Sequence, residues 1–304
     1  MIYVFYHVVD LDGQCSGAIV KYFYSTYLKQ KDIELVPFNY NYKLKLDNFK
    51  KDDIVYFVDV VPSPCELLYE VAELVKEVII FDHHKTFIDS PVGQYFKQQP
   101  KCLLQIDFAG CQLTWQGLFP EERRMPPMVH LLGEYDRWND THWTWSTQVL
   151  PFQYGMRLDK TDPNEYFEYW QHWFDARTQW PRIQEVIDKG KTVLIYEDLQ
   201  NERIMRASFE HNFIGIDGSG APVTYKCICV NSTTRNSALF KSVWDVSKYD
   251  AMIAYSQTKH GDWSFSGYTT KDDIDVSLIG KQFGGGGHRK AAGWMLKNLN
   301  GFFN

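Results

Sequence analysis

The sequence predicts an α/β protein of two domains, a doubly wound parallel sheet followed by a smaller α/β domain. Three observations predict it. Short β-prone apolar runs alternate with helical periods through the first hundred residues, the pattern of a parallel sheet covered by helices. A chain of 304 residues is long for one compact core and comfortable as two. Strand signals resume after residue 205, beyond a long helical stretch.

The elements follow in chain order. Residues 2–6 form a first buried strand; the opening MIYVFYHVVD has no basic flank and turns charged early, so it does not read as a signal peptide. Residues 16–29 carry a helical period, and 33–38 and 54–58 read as strands. Ser63-Pro64-Cys65-Glu66 has the residue types of a capping box with Pro at the first helical position. It predicts a helix from there to about Lys76. Residues 78–81 make another buried strand, and 103–106 a further one. Between 138 and 180 the composition shifts, with six of the ten tryptophans. That segment reads as a helical layer on the sheet or as an aromatic platform on which bases stack. Residues 181–199 form a connecting helix, Gly215 to Gly220 a turn, 223–230 and 251–255 strands, and 276–283 a helix. The expected division is 1–185, a connecting helix at 186–204, and 205–304.

Composition excludes several classes. At 44% hydrophobic and 23% charged the chain is neither disordered nor fibrous. No apolar run approaches the roughly 18 residues of a membrane span, and the expectation is a soluble, cytoplasmic protein. A net charge of −6 argues against a long channel gripping nucleic acid nonspecifically. The six cysteines show no paired spacing and read as reduced core thiols. Cys227 and Cys229 alternate along a strand and face one side of a sheet.

Acidic and imidazole residues stand at the ends of three predicted strands. His7, Asp10 and Asp12 follow the first, Asp59 the strand at 54–58, and Asp82-His83-His84 the strand at 78–81. One Asp at a strand end is usually a cap or turn former. Three strands of a parallel sheet, however, deliver these groups to one carboxyl edge, where ligands bind in such folds. Close carboxylates repel one another unless cations lie between them. Asp and His donors without thiolate suit Mn²⁺, with Mg²⁺ possible. Two such ions can activate a water and clamp a phosphoryl group for in-line attack. The pattern points to metal-assisted hydrolysis of a phosphate ester.

Asp82-His83-His84, behind an apolar strand and an Asp-x-Asp-Gly turn (Asp10 to Gly13), resembles the DHH phosphoesterase superfamily. Gly284-Gly285-Gly286-Gly287-His288-Arg289-Lys290-Ala291-Ala292-Gly293 is similar to the GGGHxxAAG signature of its associated C-terminal domain. The two motifs lie about 200 residues apart in the family's order. The resemblance covers nearly the whole chain, 138–180 excepted.

It implies a second domain with a mixed sheet and an active site in an interdomain cleft. Asp10 and Asp12 resemble the paired carboxylates of the first motif, and Asp59 the acid that bridges two ions. His83 resembles a metal-binding histidine, Asp82 a supporting acid, and His84 a residue nearer the substrate phosphate. Asp136, in Gly133-Glu134-Tyr135-Asp136, resembles the acid completing the second metal site, and His7 the ligand completing the first. Gly285, Gly286, Gly287, His288 and Arg289 are the implied substrate-binding residues. A flexible glycine run is the plainer alternative to a cradle of exposed N–H donors.

There are two departures. His7 precedes Asp10 by three residues where many members have four, and a one-residue slip on a strand turns a side chain to the other face. His7 therefore reads either as a ligand or as a core histidine. The Arg that many members carry upstream of the glycine run is missing. Arg235-Asn236-Ser237 reads as a substrate contact or a helix cap.

The expected function is that of an oligoribonuclease or nanoRNase-like enzyme, a metal-dependent 3′→5′ exonuclease on short oligoribonucleotides with two Mn²⁺ ions. The alternatives are a cyclic-dinucleotide or 3′-phosphonucleotide phosphohydrolase, and a nucleotide-binding protein without catalysis. The expected partner is a short oligonucleotide or dinucleotide, with no membrane, and a monomer or homodimer in solution.

Overall fold

A computed structural model describes residues 1–119, 124–174, 179–234 and 236–303. The chain divides into two compact units, Met1–Val193 and Leu194–Asn304. The division falls inside one unbroken helix, Gln179–Met205. No helix among the described residues is long and apolar enough to cross a membrane.

The first unit is built on five parallel strands: β1 (Ile2–His7), β2 (Ile33–Phe38), β3 (Ile54–Val58), β4 (Glu77–Asp82) and β5 (Leu103–Leu104). Their order is β2-β1-β3-β4-β5. Alternate residues of the central strands serve opposite faces, as the period of two requires. Val4 and Tyr6 of β1, Tyr56 and Val58 of β3 and Ile79 and Phe81 of β4 share one cluster with Val20 and Leu113. Those two belong to helices Leu11–Tyr22 and Gly110–Leu118. Phe5, Phe57 and Ile80 pack on the other face with Leu68, Val71, Phe87 and Phe96. The sheet is thus covered on both sides, and its strands read as nearly continuous apolar runs for that reason.

The tryptophan-rich segment forms a third layer. Trp170 and Trp173, of helix Phe167–Phe174, are fully buried against Cys15, Ile19 and Trp115, and Tyr6 of β1 hydrogen-bonds Asp162. The packing role accounts for these two rings, whereas Trp138 and Trp143 are exposed at 57% and 83%.

The expected capping box at Ser63 does not form. The amides of Leu67, Leu68 and Tyr69 bond three residues back, to Pro64, Cys65 and Glu66. That winding is tighter than an α-helix, and the helix proper is Leu67–Leu74, with Glu66 at its start making no side-chain cap.

The second unit carries a six-stranded mixed sheet of β6 (Phe209–Ile216), β7 (Pro222–Asn231), β8 (Ala251–Gln257), β9 (Trp263–Tyr268), β10 (Gly286–His288) and β11 (Ala291–Leu296). The order is β10-β11-β9-β8-β7-β6, parallel only between β7 and β8. Cys227 and Cys229 face the same core, with Phe265, Trp294 and Ile279 of helix Val276–Gln282. Burial pushes both thiols up, Cys227 to about 12, and all six cysteines are free.

Candidate metal centre

The strand order of the first sheet reverses between β1 and β3, and in open α/β sheets ligands bind at that point, beyond the carboxyl ends of the strands. His7 ends β1, Asp59 follows β3, and His83 and His84 follow β4. Topology alone gathers them.

Each side chain is held by a local device. Asp10 caps helix Leu11–Tyr22, accepting from the Gly13 amide at 2.9 Å. Asp12, in the first turn of that helix, is buried, and its two oxygens accept from the amides of Gly110 and Cys111 at 2.7 and 2.9 Å. These open helix Gly110–Leu118, whose own preceding residue, Ala109, has no side-chain acceptor; Asp12 caps that helix from another element. Asp59 takes a left-handed backbone, φ 59°, a conformation Asp tolerates better than most residues. Asp82 is buried. Its Oδ1 accepts from the His84 amide at 2.8 Å and lies 2.7 Å from His84 Nδ1, fixing the ring.

The reactive atoms converge. His7 Nδ1 lies 2.8 Å from Asp10 Oδ2 and 3.6 Å from Asp59 Oδ2. His83 Nε2 lies 3.2 Å from Asp59 Oδ1, 3.2 Å from Asp136 Oδ2 and 3.9 Å from Asp12 Oδ2. His84 Nδ1 is 3.9 Å from Asp59 Oδ1. Three overlapping sets, His7/Asp10/Asp59, Asp59/His83/His84 and Asp12/His83/Asp136, each bring their donor atoms within 4.8 Å of one another. Asp59 and His83 each belong to two sets.

Burial and mutual repulsion raise the acids: Asp12 to about 7, through burial and then Asp59, and Asp136 to about 7, through burial and then Asp12. Asp59 is also raised, by burial first. Burial works against charge on the imidazoles, yet the adjoining carboxylates outweigh it. His7 and His83 rise to about 10 and His84 to about 9. Asp10 moves down: burial opposes the shift, and His7 overrides it.

The residues present fit divalent cations. Among the described residues, buried His7 Nδ1, Asp59 Oδ1 and Asp82 Oδ2 make no hydrogen bond. Orphaned buried acceptors of this kind are costly unless something else satisfies them. His7 Nδ1 is close to two carboxylates without the angle of a hydrogen bond to either, so these atoms are aimed at a shared space and not at each other. Oxygen and imidazole donors without sulfur suit Mn²⁺ or Mg²⁺.

In the second unit the implied substrate residues separate. Gly284 and Gly285 line a cavity of about 550 Å³ with Ser264, Ser266 and Gly293. Gly286, Gly287 and His288 are in β10, paired with β11. Arg289 donates to the Asp272 carbonyl and lines a different cavity, beside Asp217 and Asp275. The expected cradle of exposed amides is only partial, since the Gly284 and Gly285 amides bond Lys281 and Gly280. Gly287 has φ 142°, and a Cβ there would meet the Ala291 carbonyl at 2.5 Å, so packing requires glycine at this position. Asn236 caps the turn Ser237–Phe240 through Leu239, and Arg235 lies outside the described residues.

Two participants were not read from the sequence. Gly110 supplies an amide to Asp12, and a Cβ there would sit 2.7 Å from Asp59 Cβ and 2.9 Å from Asp12 Oδ2. A helix start with no Ser, Thr, Asp or Asn before it was the available signal. Tyr40, in the loop after β2, places its ring 5.4 Å from His7 and 5.9 Å from His84; no motif marks it.

The architecture is shared with solved structures. A pGpG-specific phosphodiesterase from Vibrio cholerae superposes with a TM-score of 0.53 at 14% identity, covering 97% of this chain and 92% of that one. An exopolyphosphatase-related protein from Bacteroides fragilis gives 0.51 at 10% identity, covering 98% and 87%. The chain has the DHH phosphoesterase fold. No family model matches it. In sequence it is 24% identical to the uncharacterized protein R106 of Acanthamoeba polyphaga mimivirus, over 98% of this chain and 68% of that protein.

Proposed function

We propose that this protein is a metal-dependent phosphodiesterase of short nucleic-acid substrates, releasing mononucleotides from oligoribonucleotides from the 3′ end. The observation that carries this reading is Asp59, buried at the switch point of a DHH fold and common to two sets of Asp and His donors. His7, Asp10 and Asp59 would hold one divalent cation, and Asp12, Asp59, His83 and Asp136 a second. Bound there, the cations supply Lewis acidity to a phosphoryl oxygen and acidity to the attacking water.

The chain's own groups do the rest. Asp82 accepts from His84 Nδ1 and favours the imidazolium, raised to about 9, so that the other ring nitrogen also carries a proton and can donate to a phosphoryl oxygen. Asp12, held by two amides, and Asp10, held by one, keep their carboxylates oriented before substrate arrives. In the reaction, water oxygen bonds phosphorus as the bond to the leaving sugar oxygen breaks, and that oxygen takes up a proton. In the second unit, the cavity at Gly285 is the candidate surface for holding nucleotide. The likeness in fold to a pGpG-specific phosphodiesterase favours a second reading, with linear dinucleotides as the preferred substrate.

Release of mononucleotide from a labelled trinucleotide with Mn²⁺, abolished by EDTA, tests the proposal. Parallel reactions with a linear and a cyclic dinucleotide separate the readings. No release from any of the three would overturn the enzyme assignment.

A further inference from the structure

Beside the Asp and His cluster, the first unit carries a cavity of about 410 Å³, within the roughly 300–1,000 Å³ range of small-molecule clefts. Val61, Pro62 and Phe87 form buried apolar walls, and Tyr40 and His84 also line it. Ser63 and Thr86, both exposed, add hydroxyls. His84 belongs to this cavity and to the cluster alike, since its Nδ1 is 3.9 Å from Asp59 Oδ1. Tyr40 is shared in the same way. Its ring meets those of His7 and His84, it is 40% exposed, and its hydroxyl has no partner among the described residues.

The lining decides what class of group fits. Apart from His84 it contains no charged side chain, neither lysine nor arginine nor a carboxylate. A second phosphate, or the next unit of a polyphosphate, would find no cation there besides His84, which the phosphate at the cluster already engages. A planar group with an apolar face and a polar edge would find an aromatic ring, aliphatic walls and two hydroxyls. Base–aromatic stacking has this character and tolerates any base.

We propose that this cavity seats the nucleobase of the nucleotide whose phosphate is held at the cluster, with Tyr40 as a specificity-determining ring. The assignment takes the phosphate's place from the phosphodiesterase reading. It makes the substrate a nucleotide, as opposed to a polyphosphate or sugar phosphate, and it puts base recognition on the first unit.

Equilibrium dialysis of AMP and of ribose 5-phosphate against the full chain with Mn²⁺ tests this. The ratio of the two affinities is internal to each protein, so a loss of active fraction cancels. Wild type should hold AMP about tenfold or more tighter. Tyr40→Leu, which removes the aromatic face, and Thr86→Trp, which fills the cavity, should each bring the ratio to within threefold of one. Tyr40→Phe should retain it. If one of the first two variants does not fold, the other decides. A wild-type ratio near one, or a ratio unchanged in a folded Tyr40→Leu or Thr86→Trp protein, would overturn the assignment. The two readings fail separately: trinucleotide hydrolysis without base preference removes this site alone, and base preference without hydrolysis removes the phosphodiesterase.

Discussion

At Asp59 the backbone leaves β3 in a left-handed turn, the carboxylate is almost wholly buried, and one oxygen has no hydrogen-bond donor among the described residues. Asn shares the tolerance for positive φ and nearly the same shape, so Asp59→Asn removes the charge while keeping the backbone. Turnover of an oligonucleotide should fall roughly 10³-fold, because one change disturbs both donor sets. Thermal stability without metal should hold or rise, since a buried, raised acid is a liability there. Activity within tenfold of wild type at saturating Mn²⁺ would remove Asp59 from the reaction. Asp82 acts one step further out, by orienting His84. Asp82→Asn should reduce kcat/KM about 10–100-fold, as loss of an orienting partner does, with a smaller change in Mn²⁺ affinity than His83→Ala; the reverse order in a metal titration would make Asp82 a ligand. His7 shows how far residue-level reading reached. The three-residue spacing to Asp10 left its face open, and the structure puts its ring beside Asp10 and Asp59. His7 is the last residue of β1, in register with Phe38, and the turn to Asp10 that follows decides which groups its ring meets, which spacing alone does not reveal.

Among the elements, the parallel strands were legible because burial on both faces makes each one a compact apolar run between turn signals. Helix starts were less so. Ser63-Pro64-Cys65-Glu66 has the composition of a cap, yet the chain there winds in tighter turns and helix Leu67–Leu74 begins later. Gly110–Leu118 shows the converse: Gln112 reaches back to the Ala109 amide, but Ala109 offers no side-chain acceptor, and the helix borrows Asp12 from a distance of nearly a hundred residues. A contact of that range leaves no local trace. It also ties the helix to the cluster, and Gly110→Ala tests the tie. The added methyl would press on Asp59 Cβ and Asp12 Oδ2, so the protein should lose about 1–3 kcal/mol of stability by denaturant unfolding. The Mn²⁺ concentration for half-maximal activity should rise as well. A stability loss with an unchanged metal titration would mean that the helix end yields and the carboxylates do not.

For the molecule as a whole, strand–helix alternation and chain length carried the two-domain α/β fold, and two short motifs about 200 residues apart carried the family resemblance. The wall at Tyr40 was invisible because a lone tyrosine in a loop has no spacing to read. The cluster also sets how stability answers to pH. His7 and His83 are raised to about 10 and His84 to about 9, so the metal-free fold binds more protons than the unfolded chain above the ordinary histidine value of about 6.5. Their contribution is complete below about 6.5 and is lost as pH climbs toward 9 to 10. Asp12 and Asp136, raised to about 7, act in the same direction at lower pH: their protons stabilise the fold below about 4, and that contribution is lost by about 7. Asp10, held down, changes stability only below the usual carboxylate range. From pH 6 to 8.5 these groups therefore make the chelated protein lose stability. Divalent cations compete for the same nitrogens and oxygens, and each proton they displace is released more easily as pH rises. The difference in melting temperature between Mg²⁺-loaded and EDTA-treated protein should widen steadily over that interval, through tighter binding. Asp59→Asn should flatten the trend. A gap that stays constant or narrows toward pH 8.5 in the wild type would show that the cation does not displace the histidine protons, and would leave the carboxylates alone as its ligands.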